Sequence, residues 1–281
     1  MKLKKCRLCQ TEKEVRRSHI LPDFFRDNSA LMYPTGKSGN PQPFTQPIHT
    51  HSGKRYQRKQ HGYWEARHGM VEKLLCHECE QKFSALEDYA KRFFYGSSNP
   101  IRLQLPFNED SFVADYKKLK LFQLSILWRA SEAQGEFFSA VQLSELVRER
   151  LRQMLASDDP GTEDEYFCSM TRLIVSPIIE EFQSIHGIAN ETGFFAPIAH
   201  NHGTWDSYLF VMGGLLWVFC VSGTRVPEIL RNSYIKENGH FFLLPMKADN
   251  FLINFAQKAV QAGNVTRADA EESIRARIRI R

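Results

Sequence analysis

Four cysteines stand in two Cys-x-x-Cys pairs, Cys6 with Cys9 and Cys76 with Cys79. Each pair can turn round a metal and supply two soft ligands, so together they meet the needs of a tetrahedral, all-thiolate zinc site. A unit built on such turns buries little surface, and the metal is expected to contribute folding energy rather than catalysis. Between the pairs lies "SHILP", residues 18–22, where His19 precedes Pro22 by three places. An imidazole titrates near neutrality and can take a proton from water. The bland alternative is a histidine satisfied by a backbone carbonyl at a turn. Glu80 directly follows the last cysteine and Ser84 comes one helical turn later.

The stretches "CRLC" (6–9), "SHILP" (18–22) and "KLLCHECEQKF" (73–83) resemble the zinc-bearing pattern of the HNH endonuclease family. The resemblance runs from residue 6 to about 94 and, more loosely, extends to HNH proteins of bacterial anti-phage defence loci. It implies a ββα-metal, treble-clef-like domain and a metal-dependent endonuclease that hydrolyses DNA phosphodiester bonds, nicking one strand at a time. His19 would be the general base and Glu80 its catalytic partner. Ser18, Glu80 and Ser84 would face a catalytic Mg²⁺ or Mn²⁺, while Cys6, Cys9, Cys76 and Cys79 hold structural zinc. DNA is the implied substrate, and other defence-system proteins are the implied partners. The chain departs from the family pattern in three places. Ser18 stands where Asp or His is common, Glu80 where Asn or His is common, and the family's middle asparagine has no counterpart, Glu72 and Lys73 occupying that strand. Ser18 and the missing asparagine favour the alternative of a zinc-dependent DNA- or protein-binding module that does no chemistry, whereas Glu80, a good Mg²⁺ ligand, supports the nuclease together with His19 and the basic insertion.

Charge supports a polyanionic partner. Residues 1–100 hold 18 Lys and Arg against 10 Asp and Glu, whereas the remainder holds 19 against 22. A basic front half is the electrostatic footprint expected of nucleic-acid contact, although an unevenly charged soluble surface would look the same. Within "GKRYQRKQHGYWEAR" (53–67), Lys54, Arg55, Arg58, Lys59 and Arg67 alternate with Tyr56, Tyr63 and Trp64. Cations of this kind neutralise phosphates while aromatic rings stack on bases or pack on the scaffold. His49, His51, His61 and His68 share this insertion and are read as exposed. "TGKS" at 35–38 lacks the upstream glycine of a phosphate-binding loop, since position 31 is Leu. In the back half, "HNHGTWD" (200–206) is read as a polar connection between strands rather than a second metal site.

The elements that must position these residues follow from periodicity. Glu80 to Phe94 has helical spacing, with Phe83, Leu86, Ala90 and Phe93 on one face and Glu80, Ser84, Glu87 and Lys91 on the other. "YGSSNP" (95–100) interrupts it, which suggests two units. Residues 1–98 form a zinc-bound nuclease domain with a basic insertion, and 99–281 an α+β domain for substrate or partner recognition. In the latter, 116–134 and 141–156 read as helices, 165–175 as a strand, and the apolar runs either side of Gly213-Gly214 as a hairpin. Helices are also expected at 251–263 and from Thr266 onwards. The overall class is α+β. The apolar run 209–221 is too short for a bilayer span, which needs about 20 residues. With no apolar core behind the basic start, a cytoplasmic protein is expected. Cys168 and Cys220, in apolar surroundings, read as buried thiols.

Overall fold

The computed structural model describes residues 3–25, 71–95, 111–135, 138–174, 195–201, 205–213, 215–223 and 228–247. The insertion with Lys54, Arg55, Arg58, Lys59, Arg67 and its histidines lies outside them, as do the closing helices expected after residue 250. The fold is mixed α+β. A two-residue ladder joins β1 (Lys4–Lys5) to β2 (Glu12–Lys13), and the first cysteine pair sits in the turn between them. β3 (Val15–His19) pairs antiparallel with β4 (Val71–Cys76), and α1 (His77–Tyr95) begins directly at the end of β4. A bulge on β4 lets Arg16 and Arg17 both face solvent and turns Ser18 inward.

Beyond β5 (Ser111–Val113) come α2 (Tyr116–Glu132) and α3 (Glu145–Ser157). Asp115 caps α2 by accepting from the Lys118 amide, and Ser144 caps α3 in the same way from Val147. Asp158 closes α3 in the left-handed conformation. β6 (Cys168–Ile174), β7 (Phe195–Asn201), β8 (Trp205–Met212) and β9 (Leu215–Gly223) precede the short α4 (Glu228–Asn232), β10 (His240–Phe242) and β11 (Leu244–Lys247). The main sheet runs β11-β6-β9-β8-β7; β11 is parallel to β6 and the other pairs are antiparallel. The expected hairpin is β8–β9, and Gly213 at φ 60° supplies the backbone its turn requires. β10 pairs with the distant β5.

An aromatic cluster ties the cysteine-bearing elements to the rest. Trp217 of β9 lies 5.7 Å from Phe25, 5.6 Å from Phe94 and 6.4 Å from Phe122, ring centre to ring centre. Edge and tilted contacts of this kind stabilise beyond the area they bury. Leu8, Val15 and Ile20 belong to the same buried cluster as α2 and the sheet. Cys168 and Cys220 are buried thiols, and burial pushes Cys220 up to about 12. Lys120 is buried in α2, where it donates to the Thr162 carbonyl and to Tyr116 at 3.1 Å. Burial brings its ammonium down to about 8 despite nearby Glu165, Glu237, Asp164 and Glu163.

Candidate metal centre and the polar cluster beside it

The turn between β1 and β2 brings Cys6 and Cys9 against the junction of β4 and α1, which carries Cys76 and Cys79. Their four sulfurs all lie within 4.8 Å of one another. Tetrahedral zinc with Zn–S near 2.3 Å sets its sulfurs about 3.8 Å apart. The Cys9 and Cys76 sulfurs are separated by 3.8 Å. Among the described residues this is the only group of three or more Cys, His, Asp or Glu placed to hold a metal ion. Backbone contacts brace it: the Cys76 amide donates to the Cys6 sulfur at 3.3 Å, and the Arg7 amide to the Leu74 carbonyl at 2.9 Å.

The four thiols differ in acidity. Burial pushes Cys76 up to about 11 and drives Cys79 higher still. Burial acts upward on Cys9 as well, but hydrogen bonds involving Thr11 outweigh it and bring that thiol down to about 6. Four crowded thiols cannot all ionise without a cation to offset their charge, and zinc requires all four as thiolates. The donor set, its spacing and its electrostatics are consistent with structural zinc.

A second polar cluster lies one residue beyond the zinc ligands. Ser18, fully buried at the inward turn of β3, donates its hydroxyl to Glu80 Oε2 at 2.5 Å. Burial raises the Glu80 carboxyl, while Ser18, Arg129 and His19 favour its charged form and Glu87 opposes it. His19 is half-buried and directly follows Ser18 in β3. Of the polar face expected for α1, Ser84 and Lys91 are exposed, whereas Glu80 and Glu87 are partly buried, Glu80 against Ser18 and Glu87 against Arg129. Phe94, rather than Phe93, is the last fully buried ring.

Arg129 is the reason. It is fully buried in α2, and its Nη1 donates to the His19 carbonyl and to Glu87 Oε1, each at 2.6 Å. Its Nε donates to the Ser125 carbonyl at 3.2 Å, and its guanidinium lies 5.3 Å from the Phe83 ring centre. One side chain thus holds the end of β3, the middle of α1 and the interior of α2 in a fixed relation. The sole advance signal was a charged residue inside the apolar run "LFQLSILWRA". Removing one member of a buried ion pair typically costs about 3–5 kcal/mol, because the other is left unpaired. Arg129→Met is expected to lower the urea midpoint by a corresponding amount, and Arg129→Met combined with Glu87→Met to recover part of it; denaturation monitored by Trp fluorescence reads both.

The remaining candidates fall away from this cluster. The Glu72 carboxylate accepts from the Gln134 amide at 2.8 and 3.0 Å and the Gly135 amide at 2.9 Å, fastening β4 to the end of α2. His77 is exposed. His200 packs edge-on to Trp205 and Asn201 donates to Asp206 at 2.6 Å, as suits a connection between β7 and β8. Among the described residues no helix is long and apolar enough to cross a membrane. Comparison with models of known families, with curated proteins and with solved structures finds no match, so the functional reading rests on these residues and their geometry.

Proposed function

We propose that the zinc-braced β3–β4–α1 unit is an HNH-type, ββα-metal endonuclease that hydrolyses DNA phosphodiester bonds, with the remaining α+β elements serving substrate or partner recognition. One observation carries this reading: Ser18 and Glu80, 62 residues apart in the chain, are joined by a hydrogen bond, and the buried Arg129 holds the backbone carbonyl of the adjacent His19.

His19 is the general base. Its imidazole takes the proton of the attacking water, and its carbonyl, held by Arg129, fixes the end of the strand that carries it. The Glu80 carboxylate, to which the Ser18 hydroxyl donates, would offer hard oxygen to a Mg²⁺ ion, whose usual mode is one or two carboxylates completed by water and substrate phosphate. A Mg²⁺ or Mn²⁺ ion held there would neutralise charge developing on the phosphate and on the leaving 3′ oxygen. Ser84, exposed one turn along α1, would meet that ion through water or meet the phosphate. A single site of this kind nicks one strand. The loose resemblance to anti-phage proteins makes invading DNA the natural target and other defence proteins the natural partners.

A second reading is favoured by the Ser18–Glu80 bond itself. Two candidate ligands that satisfy each other describe equally a scaffold that binds DNA or protein without cleaving it. Supercoiled plasmid incubated with zinc-loaded protein and Mg²⁺ or Mn²⁺ decides between them. Nicked circles whose ends a DNA ligase reseals, as 3′-hydroxyl and 5′-phosphate, are expected. Plasmid retarded in the gel but left supercoiled under every divalent ion would make the protein a binding module.

A further inference from the structure

Where the first cysteine turn lies against β4, the two leave a groove of about 920 Å³ on the protein surface. Lys4 and Lys5 of β1, Arg7 of the turn and Lys73 of β4 line it, together with the amide side chains of Gln10 and Gln134. Glu72 is the one acidic residue on its wall, and its carboxylate is already taken up by the Gln134 and Gly135 amides. Arg7 keeps half its side chain exposed beside Glu132, at 3.7 Å. None of the three lysines is engaged in an ion pair within the described residues, and all three are exposed. The groove therefore combines unspent positive charge with neutral hydrogen-bonding groups, a chemistry suited to phosphate and sugar oxygens.

Its position relative to His19 gives it meaning. In the β3–β4 ladder His19 stands opposite Val71, and Lys73 is two residues further along the same strand. Two strand residues span about 7 Å, roughly twice the axial rise of 3.4 Å between successive phosphates on one DNA strand. A backbone following the groove past Lys73 reaches the His19 cluster within a few nucleotides.

We propose that this groove, lined by Lys4, Lys5, Arg7 and Lys73, is a DNA-backbone binding track that leads the scissile strand to the His19 cluster. It rests on the nuclease reading for its purpose but not for its detection, since backbone binding does not require cleavage. Contacts of this type hold register without reading sequence. The same zinc that closes the cysteine cluster also fixes the turn carrying Arg7 and one wall of the track, so scaffold and substrate path are a single construction.

Fluorescence anisotropy with a labelled 20-base-pair duplex, without added Mg²⁺ or Mn²⁺, tests the track on the full zinc-loaded chain. Lys4→Gln, Lys5→Gln and Lys73→Gln combined should weaken binding by about tenfold or more near 0.15 M salt. The slope of log affinity against log salt should fall by about 3, since each lost phosphate contact removes roughly 0.9. These lysines are exposed and unpaired, so zinc content and melting temperature should stay at wild-type values. An unchanged affinity and salt slope in the triple variant would overturn the track. So would poly-glutamate displacing the duplex at equal charge concentration, which would identify an acidic protein segment as the ligand. The two readings fail separately. Wild type that binds through these lysines but never nicks plasmid loses the nuclease and keeps the track, whereas wild type that nicks with lysine-independent binding loses the track alone.

Discussion

Removing zinc is expected to unfold the protein well beyond its cysteine cluster. Apparent binding free energies for structural zinc run at about 10–16 kcal/mol, comparable to or larger than the entire stability of a typical domain, about 5–15 kcal/mol. Cys6 and Cys76 are buried, and Leu8, Val15, Ile20 and Phe25 share a core with Phe83, Phe122 and Trp217. Releasing the β1–β2 turn exposes one side of that core, and the loss propagates through Phe25 and Trp217 to the sheet. A thermophilic-grade chelation challenge is unnecessary: a strong zinc chelator at neutral pH, or Cys76→Ser, should lower the melting temperature by at least about 15 °C, since 1 kcal/mol corresponds to about 2–4 °C in domains of this size. Metal analysis should find one tightly held zinc per chain, and Cys6 should resist alkylation until the metal is withdrawn. An unaltered melting curve after chelation, with Cys6 and Cys76 alkylated in the folded protein, would dismantle the zinc-braced unit.

The four-cysteine cluster was legible in the sequence because short-range spacing alone specifies a thiolate pair, and only the pairing of two distant turns was left to the fold. The β8–β9 hairpin was legible for a similar reason, as Gly213-Gly214 between apolar runs encodes its own turn. The approach of Glu80 to Ser18 was expected, but the ion pair of Glu87 was not legible, because helical periodicity sorts residues by polarity and assigns carboxylates to solvent. A buried cation on another helix reverses that assignment, and Arg129 lies 42 residues from Glu87 in the chain. Arg129 was hidden by the same rule, since an apolar run predicts burial for its neighbours and says nothing of a guanidinium that finds its partners across a helix interface. The pairing of β5 with β10 was likewise beyond local pattern, because each strand is three residues long and they are far apart in the chain. The basic track was visible only as an excess of charge in the front half. Its shape appears once the cysteine turn is laid against β4.

His19→Ala is expected to reduce nicking by about 10²–10⁴-fold, the range that a positioned general base contributes. At 1.36 kcal/mol per factor of ten this is about 3–5 kcal/mol of lost transition-state stabilisation. The structural consequences should be small. His19 is half-buried, the bond from Arg129 goes to its backbone carbonyl rather than to its ring, and the Ser18–Glu80 bond does not involve it. Zinc content, melting temperature and duplex affinity should therefore remain near wild type, which separates a chemical defect from a folding one. Glu80→Gln should act differently, raising the Mg²⁺ concentration needed for half-maximal nicking because it removes the carboxylate beside Ser18. The most direct measurement is the first-order rate of plasmid nicking by wild type and His19→Ala side by side, at equal zinc occupancy and saturating Mg²⁺ or Mn²⁺. A wild-type rate that requires the divalent ion and falls at least a hundredfold in the variant is the expected result; equal rates, or no nicking by either protein while both bind the duplex, would contradict a catalytic His19.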